Sequence, residues 1–435
     1  ARDAVASAGL TPIPPSGDPV YDFELRPLQS LVQTTELPDG PTLVVLEDDT
    51  GTGKTEAAVM LAQRMLRAGK GHGLFFALPT MATSDAMFAR LRQTAGGIFA
   101  GTPSLALAHG RAAFSAEFRS LIGAETGDSD DVTCAPWLAE GGRRALLAHV
   151  GVGTIDQALK AVLPTKFNTL RMWALSRQIL IVDEVHELGD PYMKREMQEL
   201  LKAHALRGGS AILLTATLPL SDRQALIDAF HSGLGSDAPR LSSQAYPCLT
   251  VHDGRQAQPQ CVSPSKKGPV RVDWLRSNED AVDFLVESSR QGACGVWVRN
   301  AVDDAIEAVQ QIRARGVEAD LLHARYALCD RQAIEDRIRA TFGKDGQGRR
   351  DAAGHGRLLV ATQVVESSLD LDFDVMVSDL APIASLIQRA GRLWRHMDLR
   401  PRSDRPVDEP VLHVLAPDPE GDVGPSWLGD IMPSG

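Results

Sequence analysis

Thr42-Leu-Val-Val-Leu-Glu-Asp-Asp-Thr-Gly-Thr-Gly-Lys-Thr-Glu56 carries an apolar run, a loop with two glycines and the start of a helical pattern that continues to Ala68. Residues 42–46 read as a strand buried on both faces, as in a parallel sheet. Gly51 and Gly53 let the chain turn sharply and aim successive N–H groups at phosphate oxygens, and the N-terminus of the following helix adds positive potential. In such a cradle Lys54 contacts the β- and γ-phosphates of a nucleotide and the Thr55 hydroxyl binds magnesium, with Thr52 and Glu56 flanking them. The usual eight-residue pattern begins with Gly, whereas this chain has Asp48 followed by Asp49. Two carboxylates beside a triphosphate repel it unless magnesium or their own orientation offsets the charge.

Outward from this loop, short apolar runs alternate with longer amphipathic stretches, the pattern of βα units and a parallel sheet. In the first half, strands are expected at 42–46, 73–78, 104–108, 146–150, 178–183 and 211–215, with helices such as 54–68 and 83–94 between them. Residues 233–268, rich in Ser, Pro, Gly and Gln, read as a connection. The alternation then resumes with strands at 270–274, 292–298, 319–323, 357–361 and 375–378 and helices at 279–290, 302–315 and 330–342. Residues 343–356, broken by Gly and charge, read as a mobile surface loop. The expected organisation is α/β: a loose lead-in (1–20), a nucleotide-binding domain (21–235), a linker (236–268), a second domain of similar grammar (269–417) and a tail (418–435). A ligand shared by two such domains would sit in the cleft between them.

Asp183-Glu-Val-His186 stands at the carboxyl end of an expected strand, the edge at which open α/β sheets bind ligands. Asp183 suits magnesium held through water, and Glu184 suits orienting and deprotonating a water that attacks the γ-phosphate. An Asp-Glu pair alone is more often a solvated strand end; here it gains meaning by following a phosphate loop in the same domain. His186 is expected to couple the site to its surroundings, and the hydroxyls of Thr215 and Thr217 to bond the acidic box and relay its state. In the second half, Gln388-Arg-Ala-Gly-Arg-Leu-Trp-Arg395 reads as a helix entrance with Arg389 and Arg392 on one face, able to point at one anion. An arginine reaching a phosphoryl group from another domain stabilises transition-state charge and makes hydrolysis depend on domain closure.

At 435 residues and 43% hydrophobic, the chain is long enough for two or three domains with cores of their own. Its apolar runs fall short of the roughly 20 residues that span a bilayer. The first 20 residues lack the pattern of a secretory signal, so the expected location is the cytoplasm, with no membrane partner. Five cysteines without a CxxC pair suggest reduced thiols rather than a zinc or disulfide framework. A net charge of −11 argues against a protein coated by nucleic acid on all sides, and leaves room for a local basic groove.

Taken in order, the phosphate loop, DEVH, TAT and QRAGR strings resemble the superfamily 2 helicases, over about Phe23 to Pro417. Leu78-Pro-Thr-Met-Ala-Thr-Ser-Asp-Ala-Met-Phe88, His109-Gly-Arg111, Val152-Gly-Thr-Ile-Asp-Gln-Ala158, Val298-Arg-Asn300 and Ala361-Thr-Gln-Val-Val-Glu-Ser-Ser-Leu-Asp-Leu-Asp372 narrow the resemblance. They are similar to the helicase module of the type I CRISPR-associated helicase-nuclease. This resemblance implies two tandem RecA-like domains with the nucleotide in the inter-domain cleft, and ATP and magnesium as cofactors. It implies 3′ to 5′ movement along single-stranded DNA, unwinding invader DNA after a guide-RNA surveillance complex has opened an R-loop. It further implies Gln29, after Arg26-Pro27-Leu28, as the adenine reader and Gln388 as a coupling residue. Pro79, Thr80, Gly153 and Thr154 would track the DNA backbone in the first domain, and Arg299, Thr362 and Gln363 in the second. Glu366 and Asp370 would be nucleotide-side or inter-domain contacts. Full-length members also carry a metal-dependent HD nuclease domain before the helicase and a C-terminal lid. The one HD dipeptide here, His252-Asp253, lacks partner histidines and reads as an incidental linker pair, and little chain follows Trp427. The expectation is that this chain alone does not cut DNA, being either a fragment or a naturally split member, the latter with an HD nuclease on a separate chain as a further partner. Two other readings stay open: a different superfamily 2 translocase or RNA helicase, and a weakly hydrolysing clamp for DNA or a partner complex.

Overall fold

The structure, a computed structural model, describes residues 2–49, 51–123, 131–216, 218–241, 246–252, 257–261, 268–344, 346–367 and 369–417. The expected tail (418–435) and its Trp427, together with Thr217 and Asp253, lie outside the described residues. The chain forms two compact units, Ala1–Pro264 and Ser265–Gly435.

In the first unit the strands are β1 (Leu43–Glu47), β2 (Gly73–Leu78), β3 (Leu105–Ala108), β4 (Val150–Thr154), β5 (Gln178–Val182), β6 (Ala211–Thr215), β7 (Cys248–His252) and β8 (Ala257–Cys261). They form one sheet in the order β3-β4-β2-β5-β6-β1-β7-β8. The six strands from β3 to β1 are parallel, and β7 and β8 add an antiparallel edge. Strands β1 to β6 are buried at every position, which is why they read as continuous apolar runs.

Three expectations need correction here. The fourth strand occupies Val150–Thr154 rather than 146–150. Leu146 and Leu147 made the earlier segment look like the strand, while Gly151 and Gly153 look like breakers. Both glycines are sterically required, because a Cβ on Gly153 would lie 2.2 Å from the Ala108 carbonyl oxygen and one on Gly151 2.6 Å from the Phe75 ring. The stretch read as a linker holds β7 and β8, and its His252 is a buried strand residue opposite Leu43. The lead-in is fastened rather than loose: Ser16 N–H bonds the Ile98 carbonyl at 2.8 Å, Ala100 N–H the Pro14 carbonyl at 2.9 Å, and Gln63 Nε2 the Asp18 carbonyl at 2.9 Å.

His204 shows how tightly this unit is packed. It is fully buried, its Nε2 donates to the Ser210 carbonyl at 3.0 Å, and a Cβ on Gly209 would touch its ring at 2.5 Å. Burial pushes its pKa down to about 4. The folded state therefore resists a proton that the unfolded state accepts near pH 6.5, so stability is full above that pH and is lost as pH falls toward 4. The loss should reach about 3 kcal/mol. Urea midpoints at pH 7.5 and 4.5 should differ more in the parent than in His204→Gln, whose amide does not titrate.

The second unit contains β9 (Arg271–Leu275), β10 (Gly295–Val298), β11 (Ala319–Leu322), β12 (Leu358–Ala361), β13 (Val375–Asp379) and β14 (Val411–Leu415). They form an all-parallel sheet in the order β11-β12-β10-β13-β14-β9. Alternate residues supply two cores: Trp297, Val360 and Val377 in one, and Val296, Leu359 and Met376 in the other. Helices Asn278–Arg290, Val302–Ala314 and Leu328–Phe342 follow the expected pattern, and β14 was not anticipated. The segment read as a mobile loop is tied down, since Arg349 donates to the Asp372 and Gly343 carbonyls and Gly356 N–H to Ser289.

Just before β13 the chain enters a buried ionic cluster. Arg405 bonds Asp372 and Asp374 at 3.0 Å each, and Arg400 bonds them at 2.9 and 2.8 Å. Trp394 covers the Arg405 guanidinium at 5.1 Å and donates to the Asp374 carbonyl at 3.2 Å. With one mostly parallel sheet each, the two units are tandem RecA-like domains. Among the described residues no helix is long and apolar enough to cross a membrane.

Candidate nucleotide and nucleic-acid sites

Because β5, β6 and β1 are neighbours and parallel, their carboxyl ends bring the acidic box, the threonine string and the phosphate loop together. Asp48 N–H donates to the Thr215 carbonyl at 3.3 Å, so the loop leaves the sheet next to β6. Gly51 and Gly53 have φ of 84° and 93°, a left-handed conformation that glycine adopts without strain. Helix Lys54–Arg67 starts directly after them. Lys54 is buried, and its Nζ donates to the carbonyls of Asp48 at 2.6 Å and Asp49 at 2.8 Å. Thr52 Oγ1 donates to the Asp49 carbonyl at 2.8 Å, and Thr55 is the second residue of the helix.

Gln29 braces this loop from helix Pro27–Thr34. Its Oε1 accepts from Arg26 N–H at 2.9 Å and its Nε2 donates to the Gly53 carbonyl at 3.3 Å. A Cβ on Gly53 would lie 2.2 Å from that Nε2, so glycine is needed for space as well as for φ. Glu56 is paired with Arg90.

Asp183 follows β5, and its Oδ1 accepts the Glu184 N–H at 3.0 Å. Glu184 is held at φ 50°, a costly conformation for a residue with a side chain, and one of its carboxylate oxygens is left without a hydrogen bond among the described residues. That oxygen, Oε2, is buried and lies 3.5 Å from His186 Nδ1. Burial, and then the charge of Glu184, push the Asp183 carboxyl up, while Lys54 draws it back. An acidic pair short of positive charge, beside a glycine cradle, fits a magnesium-bound triphosphate. Of the residues expected to couple the site, His186 and Thr215 are in contact, His186 Nδ1 bonding Thr215 Oγ1 at 3.0 Å.

The residues expected on DNA form a second group on the same edge. Pro79 and Thr80 follow β2, and Gly153 and Thr154 end β4, with Ala77 opposite Gly153 and Leu78 opposite Thr154. Thr80 caps helix Met81–Ile98, its Oγ1 accepting from Thr83 N–H at 3.1 Å.

The second unit departs further from expectation. Gln388 and Arg389 lie at the exit of helix Ile383–Ala390, not at an entrance, and Arg392 lies beyond it. The helix begins at Ile383 because Pro382 precedes it, and it stops before Gly391. The two arginines converge on one residue of the same unit, Glu366, but only Arg389 reaches its carboxylate. Arg389 Nε bonds Glu366 Oε1 at 2.7 Å, and Arg392 donates to the Glu366 carbonyl. Arg389 is fully buried and also donates to Ser378 Oγ at 2.8 Å and the Asp379 carbonyl at 3.0 Å. Arg299 is likewise not presented to solvent. It is buried, bonds Asp379 at 3.0 Å and covers the Trp297 ring at 4.4 Å, which makes it a structural residue of this sheet edge. Thr362 is buried after β12, and only Gln363 of this group is exposed, its Nε2 donating to the Asn300 carbonyl at 3.3 Å. Asp370 pairs with Arg395 and, at 3.3 Å, with His396. Burial would raise its carboxyl, but His396 and the charge of Arg395 hold it well below the usual carboxylate range.

Asp379, Ser378 and Asn300 organise this edge, and the sequence reading gave none of the three a role, although Asn300 stood in a quoted segment. The signal for Asp379 was available, since it ends an apolar strand as Asp183 does.

Comparison with known proteins agrees with this arrangement. Residues 27–226 match the DEAD/DEAH box helicase model, and residues 291–398 match the C-terminal model of the CRISPR-associated nuclease/helicase Cas3. The Cas3 endonuclease/helicase of Escherichia coli (strain K12) is 38% identical, over 92% of this chain and 45% of its own length. The crystal structure of T. fusca Cas3 with AMPPNP superposes with a TM-score of 0.85 at 32% identity, over 96% of this chain and 50% of that one. A chain of a CRISPR RNA-guided surveillance complex, pre-nicking, superposes with a TM-score of 0.70 at 30% identity, over 96% of this chain and 46% of that one. The chain thus spans about half the length of the relatives it matches. It belongs to the Cas3 family, of which it carries the helicase part.

Proposed function

We propose that this chain is the ATP- and magnesium-dependent motor of its family, a translocase that moves 3′ to 5′ along single-stranded DNA. In this reading it unwinds invader DNA after a guide-RNA surveillance complex has recruited it to an R-loop. The observation that carries the reading is the shared edge of the first sheet, with Lys54, Asp183 and Glu184 at the ends of β1 and β5. Pro79, Thr80, Gly153 and Thr154 stand at the ends of β2 and β4 on that same edge. Nucleotide and strand would then be read by adjoining strand ends, with the Thr215 to His186 bond available to relay between them. The AMPPNP-bound and surveillance-complex relatives support the choice of cofactor and partner.

Thr55 and Asp183 would hold magnesium, which neutralises charge on the transferred phosphoryl group when bound. Lys54 orients the phosphates, and Glu184 accepts the proton of the attacking water. Arg392 is our candidate for the arginine facing the phosphoryl group, whereas Arg389, saturated by Glu366, Ser378 and Asp379, positions Glu366. Gln29 fixes the loop.

The direction and substrate are tested by unwinding of DNA duplexes carrying a 3′ or a 5′ single-stranded tail, and of the matching RNA duplexes. ATP-dependent separation of the 3′-tailed DNA alone is expected. Preference for RNA or for 5′ tails would contradict the reading.

A further inference from the structure

The two carboxylates at the start of the phosphate loop are disposed of differently. Asp48 is buried, and its Oδ1 accepts the Asp49 N–H at 2.7 Å. Asp49 Oδ1 accepts a hydrogen bond from Tyr246 Oη at 2.8 Å. Tyr246 stands two residues before β7, and β7 is paired to β1 with Cys248 opposite Glu47. In the order β5-β6-β1-β7, the acidic box follows β5 on one flank of the loop and Tyr246 precedes β7 on the other. The bond thus draws the Asp49 charge to the flank away from Asp183 and Glu184. Lys54 Nζ meanwhile donates to the main-chain carbonyls of Asp48 and Asp49. Burial and the Asp49 charge push the tyrosine hydroxyl up, so it stays a proton donor across the physiological range.

We propose that Tyr246 is a positioning residue of the nucleotide site, holding the Asp49 carboxylate clear of the phosphates so that a loop with two acids still binds magnesium-ATP. This rests on reading the loop as the nucleotide site. Without the hydroxyl, the Asp49 carboxylate is no longer drawn to that flank and sets its negative charge beside the phosphates.

The test titrates magnesium and methylanthraniloyl-ATP into the full chain as parent, Tyr246→Phe, Asp49→Asn and the double variant, with melting temperatures in parallel. Tyr246→Phe is expected to weaken binding about ten-fold and to raise KM for ATP, with kcat retained at saturating ATP. In the Asp49→Asn background the same change is expected to shift Kd by less than about two-fold, because no charge is left to hold. Unchanged affinity in Tyr246→Phe, or an equal loss in both backgrounds, overturns the proposal. A parent that does not bind the analogue overturns the nucleotide-site reading and the proposal with it, whereas a parent that binds while Tyr246→Phe is silent overturns the proposal alone.

Discussion

Glu184→Gln is expected to lower ATP turnover by about 10³-fold while leaving magnesium-ATP affinity within about three-fold. The loss is expected in the chemical step because Glu184 Oε2 makes no hydrogen bond among the described residues, and an isosteric amide keeps the 3.5 Å approach to His186 Nδ1. What disappears is an acceptor for the proton of the attacking water. Lys54→Ala should fail differently. Its ammonium is buried and bridges the carbonyls of Asp48 and Asp49, so its removal loosens the loop as well as taking a charge from the phosphates. Affinity should fall about 10- to 100-fold in that variant, with turnover lost as well. Nucleotide titration and single-turnover hydrolysis separate the two: equal affinity losses in both variants would mean that Glu184 serves binding rather than chemistry.

Asp372→Ala is expected to destabilise the second unit by about 3–5 kcal/mol. Arg405 has no exposed side-chain surface, and Arg400 is largely buried, so removing one carboxylate leaves both guanidinium groups short of charge. Asp283→Asn is the informative contrast. Its partner Arg315 shares an exposed ion pair, which should contribute less than about 1 kcal/mol. Denaturant midpoints of the two variants compare the cases directly, and similar shifts in both would show that burial of the cluster contributes little.

How much of this was legible in the sequence follows from how local each determinant is. β1, the loop and helix Lys54–Arg67 were readable because an apolar run, two glycines and a helical period adjoin within about two dozen residues. β4 was misplaced because its glycines answer to Ala108 and Phe75 on neighbouring strands, which no local pattern reveals. β7 was hidden in a polar stretch since Cys248–His252 becomes a strand by pairing with β1, some two hundred residues earlier. The arginines illustrate the same limit at the site. Their three-residue spacing was visible, but the partners that bury Arg389 and Arg299 come from elsewhere, Ser378 and Asp379 from the end of β13 and Glu366 from helix Val364–Ser367. Charge type and motif order are written along the chain, whereas exposure is decided by the fold.

The most direct test of the central claim is magnesium-dependent ATP hydrolysis by the 435-residue chain with and without single-stranded DNA. Turnover stimulated at least about ten-fold by DNA, and absent in Lys54→Ala, is the predicted result. A parent chain that binds DNA but shows no turnover under either condition would contradict the motor and favour a clamp.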